Sequence, residues 1–299
     1  MRNILFSCLF LFCCFSMAGK VPSKQKIRLT DNWEYLKGDL GGIWEVVRPA
    51  SPGSPETVPI WQKVTLPHCF NAEDAVDPDV NYYQGPGWYK TLLAIDNPYA
   101  DGRVVLDFEG AGQKTKVYVY TTLVGEHTGG YDGWSVDITE AVKSFMADDK
   151  QMKRFKGKVP LSIRCDNSRD LEMIPSDLSD FNLYGGLYRY LNLVYLPKAS
   201  FEQIRLEPEL SANRKEGSVK VKASFYNPAD IRKANVTVSV YDANRKQIFT
   251  QTIENVQPLG NQFLTEVKVK NPVLWDVDSP NLYTCELTIN ADGQTCLLY

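Results

Sequence analysis

The chain is poor in the features that mark several large classes of protein. Its 299 residues carry a formal net charge of −3, and only two of them, His68 and His127, are histidines. A chain without a basic excess does not attract a polyanion, so the charge argues against a nucleic-acid partner. We interpret the one basic run, residues 150–158, as a solvated loop. Neither histidine has a second ligand near it in sequence, so we predict no metal site and no cofactor.

Long apolar runs are also missing beyond the first twenty residues. Residues 4–15 form the single run, which follows Arg2 and precedes the small residues Ser16 and Ala18. This order is typical of a secretory signal peptide, so we predict a leader over residues 1–18 and export to the periplasm or the medium. The run is too short to span a bilayer as a mature helix, so no membrane span is predicted. A lipid anchor on one of the leader's cysteines is the alternative.

Cysteine is scarce once this leader is set aside. Four of the seven cysteines lie after residue 18, and their spacings match no metal or redox motif: Cys69, Cys165, Cys285 and Cys296. Export would permit disulfides between them. Cys165 and Cys285 are in phase with apolar neighbours, however, so we interpret the cysteines as buried free thiols.

The chain is rich in apolar–polar alternation, the pattern of half-buried antiparallel strands. These short segments follow one another with turn residues between them, which favours β-sandwiches over βαβ units. The residues predicted on inner faces include Val117, Val119, Val219, Val221, Ala223, Phe225, Val236, Val238, Val240, Phe263, Val267 and Val269.

One short helix interrupts the strands. Asp137 and Glu140 have the spacing of a capping box, and Ala141, Val142 and Phe145 would then face inward. No other segment has a convincing helical period.

Two domains are predicted after the leader. Residues 19–198 carry longer, aromatic-rich strands with irregular loops between them, and residues 199–299 carry a compact set of short strands of immunoglobulin-domain size. Near the end, an Asp-Gly turn starts a last strand that we predict to be truncated.

Five quoted segments, in this order, carry a family resemblance: VTLPHCFNAEDA, YYQGPGWYK, VGEHTGGYDGWSVDIT, DNSRDLEMIPSDLSDFNLYGGLYR and NPVLWDVDSPNLYTCELTI. Together they resemble the N-terminal part of glycoside hydrolase family 2. The resemblance implies an all-β chain with a jelly-roll sugar-binding sandwich followed by an immunoglobulin-like sandwich. In the family a (β/α)₈ barrel follows, where two glutamates perform retaining hydrolysis. No segment here resembles that barrel. The chain alone is therefore predicted to be inactive, and its ending looks like that of a truncated or frameshifted reading frame.

The resemblance also implies substrate contacts. Asp180, counted back from YGGLYR, aligns with the aspartate that the family's jelly-roll domain lends to the active site. A carboxylate suits that role because it offers two acceptor oxygens for sugar hydroxyls, although a turn-capping loop aspartate is the alternative. Asn81 is a candidate for the rim of the same site. Trp134 is a candidate sugar-stacking platform, with packing as the alternative. No residue of the chain is predicted to be catalytic.

Three hypotheses follow. The first is the N-terminal part of an exported family 2 enzyme that hydrolyses terminal β-glycosides, most like a β-galactosidase acting on β-galactosides. Here the chain contributes sugar-binding and scaffold domains, and the catalytic barrel is missing. The second is a stand-alone, non-catalytic carbohydrate-binding protein of two sandwiches. The third is a structural module without a ligand.

Overall fold

The computed structural model describes residues 25–48, 60–174, 181–227 and 230–298. The predicted signal peptide and Asp180 lie outside the described residues. None of the helices in the described part of the chain has the length and hydropathy needed to span a bilayer.

Strands dominate the described residues, as the alternation predicts. The strands are β1 Lys26–Arg28, β2 Trp33–Lys37, β3 Gln62–Val64, β4 His68–Cys69, β5 Pro86–Leu93, β6 Arg103–Phe108, β7 Lys114–Val119, β8 Thr122–Thr128, β9 Trp134–Asp137, β10 Val159–Asp166, β11 Gly186–Leu187, β12 Leu191–Leu196, β13 Ser200–Leu210, β14 Glu216–Tyr226, β15 Ala234–Tyr241, β16 Gln247–Val256, β17 Gly260–Lys270, β18 Thr284–Ala291 and β19 Gln294–Leu298. The helices are α1 Ile43–Val47, α2 Thr139–Met146 and α3 Asp149–Arg154.

The described residues divide into two compact units. The N-terminal unit contains those up to Ser200 and those within Tyr226–Asp230, and the C-terminal unit contains Phe201–Phe225 and the residues from Ile231 onward. Both units are built of β-sheets, and no (β/α)₈ barrel is formed within the described ranges. The all-β fold class is therefore confirmed.

The N-terminal unit contains two main antiparallel sheets. A four-stranded sheet has the order β1-β12-β6-β9, and a six-stranded sheet has the order β3-β2-β5-β10-β7-β8. The short strands β4 and β11 pair separately. One apolar core holds the inward residues of both main sheets, among them Val117, Val119, Leu161, Ile163 and Tyr195, each at most 1% exposed. The predicted inner face of the segment containing Val117 and Val119 is confirmed.

The C-terminal unit also contains two sheets. One has the order β13-β14-β17 and the other β16-β15-β18-β19. Val236 and Val238 on the central strand β15 are fully buried, as predicted. Strands β18 and β19 are joined through Asp292 and Gly293, which both have positive φ. An Asp-Gly pair in that conformation is the preferred two-residue connection of a hairpin.

The predicted inward position of Phe263 is wrong. Its ring is 58% exposed, whereas Val267 on the same strand is fully buried. The cause is a bulge, because Val221 pairs with Thr265 but the next residue, Lys222, pairs with Phe263. An extra residue in one strand reverses which side chains point inward, so alternation read across it assigns the wrong face.

The predicted helix is confirmed as α2, with Val142 and Phe145 buried. Asp137 accepts a hydrogen bond from the Thr139 backbone at 2.9 Å. Glu140 does not close a capping box but pairs with Lys143, one turn further along.

The interpretation of residues 150–158 as a loop is wrong for their first half, which belongs to α3. The Asp148 side chain caps this helix by accepting from the backbone N–H groups of Lys150 and Gln151. No residue of α3 is buried. The missing apolar face explains why periodicity does not reveal this helix.

The described cysteines are free thiols, as the sequence predicts, but not all of them are buried. All four described cysteines are free, and Cys165 and Cys296 are buried. Burial raises the pKa of Cys165 to about 12, so its thiol stays protonated near neutral pH. Cys69 and Cys285 are only partly buried.

The bulge in β17 predicts unequal costs of truncation on one strand. Val267→Ala removes two buried methyl groups and is expected to lower the free energy of unfolding by about 1–3 kcal/mol. Phe263→Ala, the larger truncation, is expected to cost less than about 1 kcal/mol because its ring is mostly solvated. Urea denaturation of the two variants measures both values. A greater loss for Phe263→Ala would show that the register across the bulge is incorrect.

Candidate functional site

Several loops of the N-terminal unit meet the segment that begins at residue 181, the first described residue after Asp180. We call this region the loop cluster, and define it as residues 70–85, 110–113, 129–134, 166–174 and 181–189. Backbone hydrogen bonds join its segments, for example from Phe70 to the carbonyl of Gly185 and between Gly112 and Gly186 in both directions. The pairing of β4 with β11 fixes two of the segments side by side.

Asn71 links the first and last segments of the loop cluster. Its side chain is 1% exposed. The amide nitrogen donates to the carbonyl of Leu183 at 2.8 Å and to Oδ1 of Asn182 at 3.0 Å. The amide oxygen accepts from the backbone N–H of Gly185 at 2.9 Å. In return, the Asn182 side chain donates to the Asn71 carbonyl at 3.2 Å. One buried side chain thus satisfies three residues of a segment more than a hundred positions away.

Asn167, which directly follows β10, also links two segments of the loop cluster. It is fully buried, and its amide nitrogen donates to the carbonyls of Tyr83 at 2.8 Å and Leu183 at 2.6 Å. Its amide oxygen accepts from the backbone of Gly85 at 2.9 Å. The carbonyl of Leu183 therefore accepts from both asparagines, so the segment after Asp180 is held from two sides.

Asn81, a predicted rim residue, lies in this cluster. It is exposed, two positions before Tyr83. The Tyr83 backbone donates to the carboxylate of Asp74 at 2.6 Å, and its hydroxyl donates to the Pro86 carbonyl at 2.7 Å. Asp74 is only 7% exposed, so the turn around Asn81 is fixed at its base while Asn81 itself faces solvent.

Large apolar side chains project from the same segments into solvent. The exposed fractions are 74% for Val76, 44% for Val80, 40% for Tyr82, 75% for Phe181 and 44% for Tyr184. Exposed apolar side chains concentrated on fixed loops are typical of a surface that receives a ligand or another part of a protein. The loop cluster is therefore the candidate functional site.

Trp134, the predicted stacking platform, lies in β9 and packs against two rings. Its indole is parallel to Phe108, with ring centroids 4.1 Å apart, and nearly parallel to His127 at 4.7 Å. These contacts favour the packing interpretation that the sequence leaves open. Its contact with a sugar stays a prediction, and so does that of Asn81.

Glycines permit the close approach of the inner loops. A Cβ at Gly130 would lie 2.5 Å from the Tyr188 hydroxyl, which donates to the Gly130 carbonyl at 2.6 Å. A Cβ at Gly186, where φ is +108°, would lie 2.8 Å from the carbonyl oxygen of His68. The paired glycines of the GGY and YGG sequences are thus positions where no side chain fits.

Aromatic residues on the strands next to the loop cluster pack beneath it. The Nδ1 atom of His68 lies 2.8 Å from the hydroxyl of Tyr89, and the rings of Tyr35 and Tyr89 pack together. Burial lowers the pKa of His68 and raises that of Tyr89, so both groups are neutral at neutral pH. This floor is a neutral, hydrogen-bonded support.

Two of the described carboxylates, those of Glu126 and Asp132, each have a basic partner. Glu126 lies 2.6 Å from Lys116, and Asp132 lies 3.2 Å from His127. The hydrogen bond from His127 lowers the pKa of Asp132. A general acid for glycoside hydrolysis needs a raised pKa instead. In the described ranges, no group of three or more His, Cys, Asp or Glu side chains is placed to hold a metal ion.

The two asparagines that hold the loop cluster together are missed by the sequence interpretation. Both lie inside quoted motif segments, Asn71 in VTLPHCFNAEDA and Asn167 in DNSRDL. Their position inside these motifs is the one feature of the sequence that could have drawn attention to them. Their roles depend on partners 16 to 114 positions away, which no local pattern specifies.

Comparison with known families covers both units. The sugar binding domain of glycosyl hydrolases family 2 matches residues 12–197, and a second family model, glycosyl hydrolases family 2, matches residues 199–296. Together the two matches take in nearly the whole chain.

Several known glycosidases have chains similar to this one. The Parabacteroides merdae β-glucuronidase, solved with glycerol in its active site, is 76% identical, with a TM-score of 0.88 over 93% of this chain and 35% of that chain. Bacteroides uniformis β-glucuronidase 3 is 53% identical, with a TM-score of 0.84 over 93% of this chain and 35% of that chain. A β-galactosidase of Thermoanaerobacter pseudethanolicus is 24% identical over 88% of this chain and 33% of its own length. The chain thus spans about a third of the length of these relatives.

The asparagine links predict a large cost for a small truncation. Asn71→Ala leaves the buried Gly185 N–H without its acceptor and Oδ1 of the half-buried Asn182 without its donor, so the free energy of unfolding is expected to fall by roughly 2–4 kcal/mol. Asn81→Ala is the matched control, since it removes the same side chain from an exposed position of the same loop and is expected to cost less than about 0.5 kcal/mol. Chemical denaturation compares them. Equal losses would mean that Asn71 does not hold the cluster.

Proposed function

Because the chain belongs to glycosyl hydrolases family 2, we propose that it is the N-terminal part of an exported β-glucuronidase. In this proposal residues 19–198 form the sugar-binding domain and residues 199–299 the immunoglobulin-like domain. The two support a catalytic barrel that lies outside this chain and carries the two glutamates of a retaining mechanism. The loop cluster completes the sugar pocket of that barrel.

The observation that carries the proposal is the 76% identity with a β-glucuronidase over 93% of the chain. The β-galactosidases that are similar are far more distant, such as the one 24% identical. We therefore favour a terminal β-glucuronide as the substrate over the β-galactoside that the sequence interpretation prefers. The β-galactoside remains the alternative substrate.

Asp180 is proposed as the chain's main substrate contact. The segment that follows it is fixed by Asn71 and Asn167 through short hydrogen bonds. The fixed segment begins one residue after Asp180, and a hydrogen-bonding role toward sugar hydroxyls requires support of this kind. Asn81 and Trp134 are proposed as lesser contacts at the rim.

The alternative is a stand-alone carbohydrate-binding protein. It is favoured by the match to a sugar binding domain. The two proposals differ in what the loop cluster faces, which is a catalytic domain in the first and solvent in the second. Export through the predicted leader is part of both.

A chimera tests the first proposal. Residues 25–298 of this chain would replace the matching third of the Parabacteroides merdae β-glucuronidase. If the two units support a glucuronidase active site, the chimera hydrolyses a fluorogenic β-glucuronide at a rate near that of the parent enzyme. A chimera that folds and assembles like the parent but has no activity would contradict the proposal.

Within this chimera, Asp180→Asn is expected to lower kcat/KM about 10- to 100-fold. The change removes charge-assisted hydrogen bonds, worth about 1.5–3 kcal/mol, to the sugar. Asp149→Asn on the exposed helix α3 is the matched control and should leave kcat/KM unchanged. If Asp180→Asn has no larger effect than this control, Asp180 is not a substrate contact.

A further inference from the structure

A second concave site lies on the outward face of the six-stranded sheet, away from the loop cluster. Its floor is a row of side chains on adjacent strands, because Lys90 is paired with Glu34 on one side and with Ser162 on the other. Val46 and Arg48 form one wall, at the end of α1. Phe155 and Lys158 also line the site, which encloses about 400 Å³. We call it the sheet-face pocket; none of its lining residues belongs to the loop cluster.

The sheet-face pocket has an excess of positive charge. Three cationic side chains line it, those of Arg48, Lys90 and Lys158, against the single carboxylate of Glu34. Lys90 is the innermost cation, 3.4 Å from Glu34 and with its ammonium 3.9 Å from the centre of the Trp61 ring. Arg48, whose guanidinium lies 3.7 Å from Glu45, and Lys158 are exposed at the wall.

The remaining lining is suited to a ring. Leu92 and Phe155 give apolar surface, while Ser162, only 1% exposed, gives a polar group at the floor. The volume lies within the roughly 300–1,000 Å³ typical of small-molecule sites. A fitting ligand has an apolar ring face, hydroxyl groups and a carboxylate for the wall cations.

We propose that the sheet-face pocket is a second carbohydrate site, which binds a hexuronate unit. The choice of a uronate among carboxylate-bearing rings rests on the proposed glucuronidase function. Such a unit has two sources, the free acid released by hydrolysis and the terminal unit of a glycan. The carboxylate contacts Arg48 and Lys158, and the sugar ring lies against Leu92 and Phe155.

Fluorine NMR of the chain labelled with 5-fluorotryptophan tests this proposal. Six tryptophans give six signals, which single Trp→Phe variants assign. Trp61 lies over Lys90 and reports on the sheet-face pocket, whereas Trp134 lies in the loop cluster. Addition of sodium glucuronate is expected to shift the Trp61 signal with a millimolar Kd that weakens as salt is added. A glucuronate-terminated disaccharide tests the glycan source, and stronger binding of one ligand identifies the source.

Variants of the wall cations locate the binding. Arg48→Ala and Lys158→Ala are each expected to weaken glucuronate binding about three- to fivefold. Each variant removes one partly exposed ion pair, which contributes up to about 1 kcal/mol. Both side chains are solvated, so both variants should fold. Lys150→Ala on α3 is the matched control, because it removes an exposed cation that does not line the pocket.

Several results would overturn the proposal. These are a Trp61 signal that does not move at any accessible glucuronate concentration, an equal response to glucose, an equal response to acetate, and wall variants that bind like the control. A shift of Trp134 alone would also overturn it and would place the sugar at the loop cluster. An inactive chimera together with a cation-dependent shift of Trp61 would leave this site standing while the proposed function failed.

Discussion

The loop cluster depends on one physical requirement, that buried backbone groups of irregular segments have hydrogen-bond partners. In paired strands, the backbone N–H and C=O groups bond to those of the neighbouring strand. The segments around residues 83–85 and 182–185 are not strands, so most of their backbone groups need other partners. Asn71 and Asn167 supply the missing donors and acceptors from fully buried positions. An unsatisfied buried group costs about 1–3 kcal/mol, so two amides that each satisfy several groups decide the conformation of both segments.

Much of the fold can be predicted from the sequence because it follows from local pattern. Alternation identifies the strands containing Val117 and Val236, since each side chain's face depends only on its parity along a strand. It fails at Phe263, where a bulge set by pairing with β14 changes the parity. The interpretation of the basic run as a loop fails at α3, where the Asp148 cap stabilises a helix without a buried face. Both errors arise where a partner or a cap, and not the periodicity, determines the structure.

The candidate site is predictable only in outline. The motif resemblance leads to the correct family and to the loop that follows Asp180, because the motif residues are contiguous in sequence. The hydrogen bonds that fix this loop join residues up to 114 positions apart, and only the folded chain brings them together. Trp134 shows the converse. A tryptophan in a glycine-rich turn suggests an open platform for a sugar. The indole of Trp134 instead packs against Phe108 and His127, which lie on other strands.

We propose that the loop cluster serves a catalytic domain encoded together with this chain. The first test is to sequence the coding DNA just past codon 299 in every reading frame. We expect a stretch that encodes a (β/α)₈ barrel with two catalytic glutamates, either in frame or displaced by a base. A clean stop followed by an unrelated gene would contradict it, and the loop cluster would then belong to a carbohydrate-binding protein that works alone.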